Sequence, residues 1–333
     1  MPAYIDTMMY VGETPWHQQG VRLDKPPSIQ EALHNAGLTW EVIKIPTQYV
    51  VGSDGETMDT GHYVTVRTDT GKPLGHVSGR YTILQNSEAF DVFEPMLDMG
   101  FQIETAGATQ GGRKVWLLAK APEKYLVGDD AIERYALLYT SHDASSGNCF
   151  RSTGVRVVCQ NTLDFSLSKK SQYKYKLRHT SSIKERVSNL KSLLQESQGD
   201  FKNAMDEMNR FVDKKINDQE LDLYFETVIP FLKDRNKESV PEMGIFTRNT
   251  AKPVYDKLVS NFRSGRGNKG ETLWDAYNAV TEYYTHDKQY TDWVKQTQFG
   301  KPYEYKVKAH KVALAMSRHL GTTQFQRDLH PIS

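Results

Sequence analysis

The sequence predicts an α+β fold, with a strand-rich first half followed by a helical second half. Three observations support this. Up to about residue 160, runs rich in β-branched and aromatic residues are separated by Gly/Asp turns. Beyond residue 180, apolar residues recur at intervals of three and four. No internal repeat or low-complexity tract interrupts either pattern. The expected architecture is a twisted antiparallel or mixed sheet backed by helices over residues 1–180, then a helical region over 181–333. The boundary near 180 separates either two domains or two layers of one.

In chain order, Ser28 is placed to cap a helix over Ile29–Ala36, and Gly37 to end it. Trp40–Val51 reads as a strand, turned by Gly52-Ser53-Asp54-Gly55 into a second over His62–Thr68, with Asp69-Thr70-Gly71 as the next turn. Ser87 is placed to cap a helix over Glu88–Met99, where Phe90, Phe93 and Leu97 share a face. Gly107–Lys114 resembles a phosphate loop only superficially. Its lysine is one position late and a strand follows, so it reads as a hairpin turn. The run Lys114–Ala119 is apolar on both alternating faces, as in a central strand covered on both sides. Glu133–Thr140 and Gly154–Cys159 read as strands joined by a polar loop, Ser141–Asn148.

In the second half, Ile183, Val187, Leu190 and Leu194 describe one helical face. Phe201, Ala204, Met208 and Phe211 describe a second, after Gly199. Further helices are expected near 218–229, 250–262, 271–285 and 303–320. In the 271–285 segment Leu273, Tyr277, Val280 and Tyr284 share a face.

The chain has 333 residues, 38% hydrophobic and 25% charged, so a sizeable core is available and wholesale disorder is excluded. No run reaches the ~18 apolar residues of a membrane helix, and Met1–Tyr10 lacks the pattern of a secretory signal. Two cysteines, Cys149 and Cys159, suit a reducing cytosol. With 42 basic against 41 acidic residues the net charge is +1, which excludes a uniformly basic coat protein.

The charge is unevenly spread. Arg151–Lys191 holds ten basic residues and two acidic ones, a local excess of +8. Within it, Lys169, Lys170, Lys174, Lys176 and Arg178 surround Tyr173 and Tyr175. In an extended chain the two tyrosines face one side, and Lys174, Lys176 and Arg178 the other. Such a row of cations tracks phosphates, and the rings stack on unpaired bases. The competing reading is a solvated edge strand, whose lysines block aggregation. A second basic cluster, Arg263, Arg266 and Lys269 in a Gly-rich loop, can clamp a phosphate through side chains and backbone amides, or be a plain surface loop.

Catalytic candidates are weak. His142-Asp143 and His286-Asp287 resemble the pairs of metal phosphohydrolases but lack the further ligands such a site needs. Cys149 and Cys159 have no second ligand pair, and Ser145-Ser146-Gly147 lacks the flanking glycines of a nucleophile elbow. His17, beside Trp16, reads as a packing anchor. No catalytic residue, metal or cofactor is expected.

Several segments together resemble the phage/plasmid-like protein family, a domain of unknown function. They are Pro15–Gly20, Gly79–Thr82 with Gln85-Asn86, His142–Gly147, Arg156–Leu163, Arg178–Thr180, Thr272–Tyr283 and Phe299–Lys301. Gln19 departs from the apolar residue expected in the first. The resemblance implies a mobile-element protein acting in the bacterial cytoplasm, and it brings no catalytic site with it. The element order and the basic segment are also similar, at fold level, to single-strand annealing recombinases of the Redβ/RecT/Erf kind, which use a twisted sheet backed by a helix and assemble as rings or filaments.

The leading expectation is therefore a non-catalytic, homo-oligomeric phage protein that binds single-stranded DNA and promotes annealing in recombination or replication. Arg151, Arg156, Lys169, Lys170, Lys174, Lys176 and Arg178 would meet phosphates, and Tyr173 and Tyr175 would stack. Two alternatives stand beside it. One is a metal-dependent phosphohydrolase or nuclease using His142, Asp143, His286 or Asp287. The other is a protein-binding module antagonising a host system through the helical half.

Overall fold

The computed structural model describes residues 5–14, 18–51, 53, 55–145, 148–156, 161–163, 175–177, 183–235, 248–290 and 300–319. The architecture is α+β, with sheets in the first half and helices in the second. The strands are β1 (Ile5–Val11), β2 (Val21–Leu23), β3 (Val42–Val51), β4 (Glu56–Arg67), β5 (Pro73–Ser78), β6 (Gln102–Thr109), β7 (Lys114–Val127), β8 (Asp130–Ser141), β9 (Asn148–Arg156), β10 (Asn161–Leu163) and β11 (Tyr175–Leu177). One sheet has the order β10-β9-β8-β7-β6-β1-β2 with β11 also on β9, and a three-stranded sheet has the order β3-β4-β5. The helices are α1 (Ile29–Asn35), α2 (Asn86–Asp91), α3 (Glu94–Leu97), α4 (Ile183–Asp213), α5 (Asp218–Val228), α6 (Arg248–Ser264), α7 (Leu273–Glu282) and α8 (Lys301–His319). Among the described residues, no helix is long and apolar enough to cross a membrane.

The chain divides into two compact units, each discontinuous in sequence. The first comprises residues 1–123, 134–152 and 172–197. Its core sets Ile29, Ala32 and Leu33 of α1 and Phe90, Phe93 and Met96 from α2–α3 against Met9, Ile103, Val115, Leu117 and Leu138 of the sheet. Ser28 and Glu31 form a capping box at the start of α1, satisfying amide groups that the first turn leaves without partners. The expected helix over Glu88–Met99 is instead two short helices. Pro95 has no N–H to continue α2 and its ring would meet the preceding turn, so the chain breaks at Val92–Phe93 and restarts with Pro95 in the first turn of α3. The cap is Gln85 with Glu88 rather than Ser87. The Gly107–Lys114 turn does join two antiparallel strands, β6 and β7.

The second unit comprises residues 124–133, 153–171 and 198–333. Phe201, Met208 and Phe211 of α4 pack with Tyr224 and Phe225 of α5, Leu273, Tyr277 and Val280 of α7, and Val312 and Met316 of α8. Each such apolar side chain contributes about 1.5–3 kcal/mol when fully buried. Tyr224 Oη donates to Ala309 O at 3.1 Å and the Trp274 indole N–H to Asp130 Oδ2 at 2.7 Å, so both buried polar tips are satisfied. The two helical runs expected on either side of Gly199 belong to one helix, α4, where a glycine costs only ~1 kcal/mol against alanine.

Candidate nucleic-acid interface

Two stretches of the basic segment lie on paired strands. Arg151 and Arg156 lie on β9, and Tyr175 and Lys176 on β11. β11 runs antiparallel to β9, with Tyr175 opposite Phe150, Lys176 opposite Cys149 and Leu177 opposite Asn148. At the other end of β9, Arg156 pairs with Asn161 of β10. Strand β9 starts at Asn148, six residues before the expected Gly154. Lys169, Lys170, Tyr173, Lys174 and Arg178 lie outside the described residues, as do His17 and Cys159.

In the second unit, the cluster around Arg263 is tied down. Arg263 ends α6, where its charge complements the helix dipole. Asp275 of α7, 4% exposed, reaches back under the following loop. It accepts from the amide groups of Lys269 (3.1 Å), Glu271 (3.1 Å) and Thr272 (3.0 Å). The Asn268 amide side chain donates to Asn261 O and Asp275 O at 2.9 and 3.1 Å. Three amides that a phosphate would have used are therefore occupied by the chain's own carboxylate. The side chains of Arg263, Arg266 and Lys269 remain exposed on a fixed backbone.

In the first unit, a polar cluster surrounds Lys114. This side chain opens β7 and is 1% exposed. Its ammonium donates to Ser141 Oγ at 2.9 Å and Asp143 Oδ1 at 2.5 Å, and to Ser145 Oγ. Asp143 Oδ1 also accepts from the Ser145 amide at 3.0 Å. Burial works to raise the Asp143 carboxyl. The hydrogen bonds from Lys114, Ser141 and Ser145, with the lysine charge, outweigh it and lower the carboxyl to about 2. Beside it, His142 shares a 2.9 Å hydrogen bond with Asn86 Oδ1, and its ring meets Trp40 edge-on at 5.3 Å. Thr65 Oγ1 donates to His142 O at 2.7 Å and Tyr81 Oη to Ser141 O at 2.9 Å. Gly75 has no side chain because a Cβ there would lie 2.6 Å from Asp143 Cα. The cluster fixes the turn after β8 in one conformation.

The chain matches the protein family described as Domain of unknown function (DUF932) over residues 73–318. The chain belongs to this family. No curated protein and no solved structure matches it. The matched part of this DUF932 protein runs from the start of β5 into α8. It holds the Lys114 cluster, the basic segment and the Asp275-fixed loop, and leaves β1 to β4 outside.

The two His-Asp pairs of this DUF932 protein have different surroundings. His142 is buried, and Asp143 is the partner of Lys114. Asp287 ends a single π turn after α7. Lys257 meets it at 3.1 Å, and it accepts from Asn261 Nδ2 at 2.7 Å. Each carboxylate is neutralised by a lysine. The Lys114 cluster was not expected from the sequence, although one signal was present. A lysine heading a run covered on both faces requires a buried anion, and Asp143 in the next hairpin arm supplies it.

Proposed function

We propose that this DUF932 protein is a phage protein that binds single-stranded DNA and promotes annealing of complementary strands, in recombination or replication, in the bacterial cytoplasm. It would act as a homo-oligomer and without a catalytic step. Arg151, Arg156, Lys169, Lys170, Lys174, Lys176 and Arg178 neutralise phosphates, and Tyr173 and Tyr175 stack on bases. The fold-level similarity to Redβ/RecT/Erf-type proteins belongs to this proposal.

The observation that supports the reading is the strand pairing of Tyr175–Leu177 with Asn148–Phe150. It gives this part of the basic segment the extended backbone that a row of alternating cations and rings requires. On an extended strand, side chains on one face recur about every 6.8 Å, which sets them in a row along the strand. Complementary bases then supply specificity by pairing with each other, while the cations lower the repulsion between the two backbones.

The test is a comparison of a single-stranded oligonucleotide with blunt duplex of equal length, by fluorescence anisotropy at physiological salt. Tighter binding of the single strand is expected, because duplex hides the faces on which tyrosines stack. Equal affinity for both overturns the reading.

A further inference from the structure

The β3–β4 hairpin extends beyond its own sheet. β5 pairs with β4 only over His62–Val66, whereas β3 and β4 stay paired out to Val51 opposite Glu56. Gln48–Val51 and Glu56–Asp59 therefore form a two-stranded ribbon with neither edge paired among the described residues. Such a ribbon is marginally stable in water, and an exposed apolar one is an adhesive surface. Its apolar residues are ordered. Val42 is buried and Lys44 Nζ turns inward to Gly79 O and Tyr81 O, so Ile43 and Ile45 point outward. From Pro46 to Gln48 β3 advances two residues while β4 advances four, so the irregularity lies in β4 and the alternation of β3 continues. Tyr49 thus shares the outer face of Ile43 and Ile45, with Met58 directly across from it. Tyr49, Val50 and Met58 are 52%, 66% and 50% exposed. The stripe from Ile43 to Tyr49 runs about 20 Å.

Charge selects what covers it. From Ile45 to Val66 the sequence holds Asp54, Glu56 and Asp59 and no lysine or arginine, a local charge of −3. Two arms meeting each other would bring like charges together. The exposed side chains of Arg263, Arg266 and Lys269, outside the segment assigned to DNA, provide the opposite sign elsewhere on the same chain. We infer that this acidic, apolar arm docks on the cationic Arg263–Lys269 loop of a second copy of the chain, in a head-to-tail contact. Head-to-tail contacts close into rings or continue as filaments. The inference rests on the homo-oligomeric part of the proposed function and names the surface that makes the contact.

The experiment is sedimentation velocity of the full chain, with Tyr49→Ser/Val50→Ser/Met58→Ser and Glu56→Lys/Asp59→Lys as variants. All five side chains are exposed, so melting temperatures should match the wild type. The wild type should sediment as a multimer that shrinks as salt rises, and both variants as single chains. Binding of a short single-stranded oligonucleotide, measured in parallel, should be the same for all three. Added to wild type, the triple serine variant should shorten the assemblies, because it still offers its acceptor surface but cannot extend the chain. Variants that assemble like the wild type overturn the inference, as does a wild type that stays a single chain at every concentration. Oligonucleotide binding judges the DNA reading separately. A wild type that assembles through the arm yet ignores DNA leaves the docking intact and removes the annealing function.

Discussion

Lys114 Nζ lies 2.5 Å from Asp143 Oδ1, on a lysine side chain that is 1% exposed. The pair joins the start of β7 to the turn after β8, with Ser141 and Ser145 completing the shell of the ammonium. Desolvating two charges is offset only when the geometry is good and the remaining donors are satisfied. Removing one partner is then the costly change.

Lys114→Met should therefore destabilise the protein by about 3–5 kcal/mol, by leaving a largely buried carboxylate alone. The Asp143 carboxyl should rise from about 2 once the lysine that lowers it is gone. Adding Asp143→Asn should recover part of the loss. Chemical denaturation of both single variants and the double variant gives the coupling energy, and an additive cycle would mean that the pair contributes nothing.

His310 predicts a pH dependence. It is fully buried in α8, with Phe211 and Tyr277 rings at 5.6 and 6.2 Å. Burial, and then the charges of Arg318 and Lys311, lower its pKa to about 3. The unfolded chain takes up this proton as pH falls below about 6.5, while the folded chain does not. Its contribution to stability is complete above that pH and is lost progressively as pH falls toward 3, at up to ~1.4 kcal/mol per pH unit. Urea melts between pH 7 and 5 should show this slope. In His310→Gln the slope should flatten, since the substitute has no proton to take up.

Asp275→Ala should release the loop before α7. Lys269, Glu271 and Thr272 lose their acceptor, and α7 loses its capping box. The expected cost is about 2–3 kcal/mol from the cap and the freed amides together. Amide hydrogen exchange at those three positions should accelerate first. Unchanged exchange there would mean that the loop is held by other contacts.

The elements readable from the sequence are those written by local chemistry. Ser28 and Gly37 delimit α1, and the apolar faces after residue 180 correspond to α4 to α8. The break at Pro95 was visible in the residue itself, and the helical face over Phe90, Phe93 and Leu97 concealed it. Strand β6 was not legible because Ala106, Gly107 and Ala108 have little β character. Gly107 is small to admit Trp116, whose ring would lie 2.4 Å from a Cβ there, while Ala106 and Ala108 face the core on the other side of the strand. Strand β9 begins in a polar stretch because its pairing with β11 and β10 uses backbone groups, which leave no apolar period. The contacts of Lys114 and Asp275 join residues through the fold or within a loop. Hydrophobic periodicity carries no record of either.

The last prediction concerns Lys174, Lys176 and Arg178. Lys176 lies on β11 opposite Cys149, in the extended conformation that the phosphate reading requires. If all three side chains meet phosphates, replacing them with alanine removes three contacts that release counterions. At ~0.7 per phosphate for single strands, the slope of log affinity against log salt should shrink by about two units. The loss should be equal for every base sequence, since phosphates carry no sequence information. Tyr173→Ala and Tyr175→Ala should instead weaken binding by roughly 1–3 kcal/mol per stacked base and leave the salt slope unchanged. A circular-dichroism melt of each variant separates lost binding from lost folding. A folded triple alanine variant with the wild-type salt slope would assign this row to a solvated edge strand, whose lysines guard against aggregation and touch no DNA.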